Sequence, residues 1–226
     1  MFARTIAILT ASLTFSLGVG ACGGGGEESS PGDGGPAGAE KAPPEPVAQI
    51  DRLSGRTTSV KLDAGFLEAL DSLKVTPAAV GDGKITEANL AIFPITGGNV
   101  TYYKPGTVSP FVQGMIDHDG SGLSLEAGGK RVELIDFVVD PGGSVLTGTV
   151  MLDGREAAPA GTPLFFLDGR TLKPLAVDPT ERLARLRGTT VKLKREAAEL
   201  LNQTFEIDAL KAGLEIGVAT ITVNTR

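Results

Sequence analysis

The chain has 226 residues, a formal charge of -6 and a pI near 4.9, a balance that repels a phosphate backbone and disfavours nucleic acid as a partner. With 41% hydrophobic and 21% charged residues it is globular in composition, and its length allows one or two domains. Gly 31, Pro 14, aromatics at 5% and no Trp favour many short strands joined by turns over long helices.

Residues 1–22, MFARTIAILTASLTFSLGVGAC, have one early positive charge (Arg4), an apolar run from about Ile6 to Val19, and then small residues. This is the layout of a secretory signal peptide, too short to span a membrane. Its end, Val19-Gly20-Ala21-Cys22, resembles the lipobox of bacterial lipoproteins. That resemblance implies cleavage before Cys22, a thiol that takes up a diacylglyceryl group, and anchoring through more than one acyl chain. Cys22 is the only cysteine, so it has no intramolecular disulfide partner. Gly23 follows it; in two-membrane bacteria Asp at that position commonly retains a lipoprotein at the inner membrane, so outer-membrane or cell-surface placement is implied. Residues 23–49, GGGGEESSPGDGGPAGAEKAPPEPVAQ, lack the large apolar side chains needed to offset the entropy of ordering and read as a flexible acidic tether.

Residues 50–226 read as one β-rich domain. The runs 58–62, 89–95, 109–116, 131–139, 144–152, 163–169, 189–193 and 216–223 are rich in Val, Ile, Thr and Phe and mostly bounded by Gly, Pro, Asp or Asn. Asp119-Gly120, Pro141-Gly142-Gly143, Asp153-Gly154 and Asp168-Gly169 supply turn residues. The predicted fold is mainly β: an antiparallel sandwich-like domain with two short helices, FLEALDSL (66–73) and REAAELLNQTF (195–205), whose apolar spacing is helical. VKL-DAGFLEALDSL and VKL-KREAAELLNQT align without a gap, which is either a weak internal repeat or two convergent strand-helix corners.

The order VKLDAGFLEALDSL, AIFPITGGNV, GMIDHDGSGLSLEAGGKRVELIDFVVD, VLTGTV and LLNQTF…AGLEIGVATITV, spanning most of 57–224, is similar to secreted bacterial β-domains, many of them uncharacterised. Through them it resembles the haem-binding HtaA-type domain, whose histidine sits on a comparable Gly-rich hairpin. The resemblance implies a β-domain with His118 at the corresponding place. That family also uses a Tyr ligand near the start of its domain; the tyrosines of this chain are Tyr102 and Tyr103.

Residues 117–126, DHDGSGLSLE, hold the only histidine and support three readings. As a calcium loop, Asp117, Asp119 and Ser121 take the first, third and fifth places and Gly122 the sixth, but the twelfth is Gly128 instead of a bidentate Glu, so no metal is expected. As a haem site, His118 would offer a neutral imidazole nitrogen, Tyr102 or Tyr103 a phenolate, and Phe111 or Met115 an apolar wall. As a hairpin, strand 112–118 would reverse at 119–122 and return through Leu123 and Leu125, with His118 holding the register. The hairpin accounts for every residue without a ligand or cofactor and is preferred.

Glu133, Asp136 and Asp140 flank apolar side chains and read first as strand-face charges. Under strict alternation Asp136 shares a face with Val132 and Leu134 and needs a buried partner. Arg182, Arg185, Arg187, Lys192, Lys194 and Arg195 form the one strongly positive stretch, with Arg182 and Arg185 on a common helical face. The sequence thus predicts a lipid-anchored, exported, non-enzymatic binding or structural module of the cell envelope. Its first alternative binds haem or another small ligand at His118; its second is a hydrolase with a carboxylate site. The expected partners are the membrane, through Cys22, and a protein, haem or envelope polymer.

Overall fold

The computed structural model describes residues 44–225; Cys22 and most of the tether lie outside them. The first strand, β1 (Ala48–Ile50), starts inside the stretch read as tether, and Val47 already donates its N–H to the Tyr102 carbonyl at 2.8 Å. Next come β2 (Arg56–Leu62), α1 (Ala64–Ser72), β3 (Thr76–Gly81), β4 (Lys84–Ile85), β5 (Leu90–Pro94) and β6 (Gly97–Tyr102). A long pair follows, β7 (Val112–Ala127) and β8 (Lys130–Asp140), and then β9 (Val145–Leu152) and β10 (Arg155–Asp168). After a 3-10 turn at Gly169–Thr171 the chain ends with β11 (Ala176–Asp178), β12 (Leu183–Leu193), α2 (Arg195–Phe205) and β13 (Glu215–Asn224).

Among the described residues the strands form one 13-stranded antiparallel sheet, ordered β1-β6-β7-β8-β9-β10-β12-β13-β2-β5-β4, with β11 on β12 and β3 on β7. The sheet curls into a half-barrel, so that its two halves face one another as in a sandwich. The predicted mainly β fold with two short helices is what forms. Inward positions alternate along β2, where Leu62, Val60 and Thr58 face the core. Across the interior Phe93 on β5 meets Phe137 on β8 edge to face at 5.3 Å, and Phe137 meets Phe165 on β10 at 6.4 Å. Edge-to-face pairs of this kind contribute ~0.5–1.5 kcal/mol beyond the burial of their surface.

The aligned strand-helix segments flank a common strand, because β12 and β2 lie on either side of β13. Gly217 of β13 pairs with Val191 on one side and Leu62 on the other. Leu70 of α1 and Leu201 of α2, at matched positions in the two segments, are both buried in the core. Asp63 caps α1 by accepting from the Phe66 N–H at 3.1 Å, whereas Lys194, its counterpart before α2, makes no side-chain cap.

Three local expectations are overturned. Residues 119–122 do not reverse the chain: β7 runs through them without a break, and the reversal comes at Gly128–Gly129, both with positive φ. The DHDG segment is a β-bulge, with the register against β8 shifting between His118 and Gly122. ERLARLRG is not helical; Glu181 and Arg182 sit in a turn, Arg182 at φ 50°, and residues 183–188 belong to β12. Strict alternation fails on β8, where Asp136 takes φ 54° opposite the β7 bulge. The buried phase therefore shifts from Val132 and Leu134 to Phe137 and Val139, leaving Asp136 out of the core.

Candidate functional site

The β7 bulge sets the direction of His118. Because the strand carries an extra residue there, His118 and Ser121 both turn inward, at 1% and 0% exposure, while Asp119 and Gly120 face out. The Ser121 hydroxyl donates to the His118 carbonyl at 3.1 Å, and Asp136 accepts from the Gly120 N–H at 2.9 Å, so the bulge is tied from both faces. The outward Asp119 side chain instead accepts from the Thr96 hydroxyl at 3.0 Å. The calcium look-alike Asp117, Asp119 and Ser121 is therefore divided between the two faces of the strand, and its members do not converge.

Both ring nitrogens of His118 have partners. Nδ1 lies 3.2 Å from the Phe137 carbonyl oxygen, which can only accept, so Nδ1 carries the proton. Nε2, 2.8 Å from Thr58 Oγ1, then accepts from the threonine hydroxyl. Burial pushes the His118 pKa down from 6.5 to about 4, outweighing the opposing pull of the Phe137 carbonyl. The ring is neutral at pH 7 and joins β7 to β2, strands that face each other across the half-barrel and are not neighbours in the sheet.

Thr58 has a second surroundings. With Val60 it lines an apolar cavity of about 600 Å³ between the two halves of the sheet. Val139 and Leu146 wall it from β8 and β9, Leu186 and Val191 from β12, and Ala219 and Ile221 from β13. Phe111 and Phe166 flank it, the latter 44% exposed. Uncharged polar groups are few (Thr58, Ser109, Ser144 and Thr189), and the charged lining side chains are Asp168 and Arg170. A smaller cavity of about 50 Å³, lined by Tyr102 and Ile116 among others, adjoins it and shares Val112, Pro141, Leu186 and Ile221.

The predicted site residues are thus dispersed. His118 lies behind Thr58, one side chain away from the main cavity. Tyr102 lines the adjoining cavity and packs edge to face on Phe111 at 5.8 Å. Tyr102 pairs with Val112 while Gly97, at the other end of β6, pairs with Asp117 beside His118, so the backbone positions of Tyr102 and His118 lie about 20 Å apart along the strand. Tyr103 and Met115 line neither cavity. Phe111 does line the main one, as the haem reading supposed.

The carboxylates of the hydrolase reading are separated by their partners. Glu133 accepts from Arg131 Nε at 2.8 Å, Asp136 holds the β7 bulge, and Asp140 accepts from the Gly143 N–H at 2.8 Å in the turn after β8. The carboxylate that does reach the cavity is Asp168, at the end of β10. It accepts from Arg170 Nε and Nη2 at 2.9 and 2.6 Å and from Lys192 Nζ at 2.9 Å. Those two cations, Arg170 first, hold its carboxyl well below the usual carboxylate range. In the sequence Asp168-Gly169 reads only as a turn. The hint of more is LFFL at 164–167, an unbroken apolar run in which Leu164, Phe165 and Leu167 are buried while Phe166, on the exposed face, flanks the cavity.

No family model matches the chain, and neither does any curated protein. Among solved structures, the C-terminal domain of HtaA from Corynebacterium glutamicum aligns with a TM-score of 0.53 over 78% of this chain and 99% of that one, at 13% identity. The haem-binding protein HtaB of the same organism aligns at 0.37 and 11% identity over 78% of this chain and 96% of its own, a likeness too slight to argue from. The described domain therefore shares its fold with the C-terminal domain of HtaA.

Proposed function

We propose that this chain is an exported, lipid-anchored, non-enzymatic binding protein whose β-domain takes an apolar small molecule, of haem or a related tetrapyrrole class, into the cavity between its two half-sheets. The cavity carries this reading. Protein interiors pack closely, and apolar space left open in a core costs stability. A purely structural module has no use for about 600 Å³ of apolar space, whereas that volume falls within the range of small-molecule sites. The fold shared with the HtaA domain and the sequence resemblance to haem-binding domains favour a flat, apolar ligand. The signal peptide, Cys22 and the tether support delivery to the envelope and attachment there.

The walls suit the body of a porphyrin but not its iron. Haem iron is held axially by His, Tyr, Cys or Met, and the lining side chains of the main cavity include none of these. His118 spends both nitrogens on Phe137 and Thr58, and Tyr102 faces the adjoining cavity. The ligand is held by apolar contact on its faces, without a bond from the protein to a metal. Asp168, ionised between two cations, is suited to charge pairing and not to general acid work, which supports a binding role over a hydrolytic one.

Titration of the folded domain with haemin and with iron-free protoporphyrin IX tests this. Both are expected to bind at one equivalent with affinities within about fivefold, since a contribution from the metal of under ~1 kcal/mol changes affinity by less than about fivefold. Thr189→Trp, which places a large ring in the cavity from a half-buried wall position, is expected to weaken both by tenfold or more. Binding of haemin alone, with loss on His118→Leu, would instead make His118 an iron ligand.

A further inference from the structure

The cavity is apolar along its walls and charged at one place. We propose that the Asp168, Arg170 and Lys192 cluster recognises the carboxylate end of an amphipathic ligand whose apolar body fills the cavity, a proposal that rests on the reading of this cavity as a ligand site.

Three observations carry it. The cluster holds two cations and one anion, so it presents one net positive charge beside walls that are otherwise uncharged. Its geometry is fixed: the Asp168 side chain is 8% exposed and grips the Arg170 guanidinium through both carboxylate oxygens, which orients the guanidinium while leaving Nη1 clear of that pair. Lastly, Arg170 belongs to the cavity lining and yet its side chain is 83% exposed, which places it where the apolar interior meets water. An amphipath that buries its apolar body there brings its own head group to this rim. An anionic head then meets an oriented guanidinium, and a neutral head gains nothing from it.

Asp168 has two effects that separate in experiment. It orients Arg170, and it cancels one of the two positive charges. A carboxylate ligand therefore feels a net charge that falls from +1 to 0 in Arg170→Gln and rises to +2 in Asp168→Asn, which keeps an oxygen to accept from the Arg170 N–H at the 3-10 turn. A merely structural cluster would give losses in both variants, so the opposite signs are diagnostic.

The experiment compares protoporphyrin IX with its dimethyl ester, which has the same apolar body and no carboxylates, in one detergent-containing buffer on the folded domain. The wild-type protein is expected to prefer the diacid by about tenfold, and to lose most of that preference when NaCl rises from about 0.05 to 0.5 M, as screening of partly exposed charges requires. Arg170→Gln is expected to weaken the diacid about fivefold and leave the ester unchanged. Asp168→Asn is expected to strengthen the diacid, and if it does not fold, the Arg170 variant and the salt series still decide. Equal binding of diacid and ester in every variant would overturn the head-group assignment while the cavity stood as a ligand site. Binding of neither would overturn both.

Discussion

Replacing His118 by leucine is expected to cost about 2–4 kcal/mol of folding stability, although the new side chain is apolar and of similar bulk. The loss comes from what it leaves behind: the Phe137 carbonyl and the Thr58 hydroxyl, both buried and both without their partner. Thr58→Val leaves only Nε2 unsatisfied and is expected to cost ~1–3 kcal/mol. The double variant is expected to cost less than the two losses added together, because it removes the donor and the acceptor of one bond at once. Urea unfolding of the four proteins measures this directly. The same pair has a pH signature. The unfolded chain takes up a proton on His118 near pH 6.5, the folded chain only near pH 4, so between these values the unfolded state binds more protons and stability falls as pH falls. Between pH 7.5 and pH 5 the loss is expected to be about 2 kcal/mol. His118 is the only histidine in the chain, so in His118→Leu this loss should vanish. Below pH 4 a further decline is expected as Asp168, whose folded carboxyl titrates lower than its unfolded one, is neutralised and releases Arg170 and Lys192.

Gly122→Ala is expected to be comparably damaging, at about 2–4 kcal/mol, for a reason unrelated to turns. Gly122 closes the β7 bulge and pairs with Ile135 on β8. A Cβ at this position would run into the backbone carbonyl oxygen of Leu134, with the Ile135 Cα and its Cγ2 close behind. Backbone atoms in a paired ladder yield only by separating the strands. That separation would move the bulge that turns His118 inward, so the alanine variant should also show a smaller pH-dependent loss of stability between pH 7.5 and pH 5. Chemical denaturation at the two pH values gives both numbers. By contrast, a Cβ at Gly120, one bulge residue away, meets no atom within 4 Å, and a substitution there tests only the left-handed φ of 71°.

These two sites show where the sequence was informative and where it was not. Long strands rich in β-branched residues, such as 131–139 and 216–223, announce themselves, and so does the amphipathic 195–205, whose helix occupies that span. Gly97–Tyr102 and Thr76–Gly81 do not, because small and polar residues there give no period-2 apolar signal; tertiary pairing with β7 makes them strands. DHDGSG looks like a reversal because Asp and Gly favour one, yet the same residues serve equally in a bulge, and only the partner strand decides. Ser121 and Ser124 lie buried in a strand that local polarity would turn outward.

The site was legible in one residue. His118 stood out as the only histidine, but its function in the fold depends on Thr58, whose contact with it spans 60 positions and leaves no local mark. Arg170 and Lys192 converge on Asp168 only because β10 and β12 are neighbours and a 3-10 turn folds back between them. The cavity is a property of curvature. No spacing of residues along the chain encodes how far the half-sheets stand apart.

Methyl-labelled NMR of the described domain with one equivalent of protoporphyrin IX shows whether the interior cavity receives the ligand. A porphyrin's ring current shifts methyl groups lying against its faces. Shifts are expected to concentrate at Val60, Val139, Leu146, Val191 and Ile221, with Leu70 of α1 and Leu201 of α2 unmoved. Shifts confined to exposed apolar residues such as Val177 and Val218, or no saturable shifts at all, would contradict binding in the cavity.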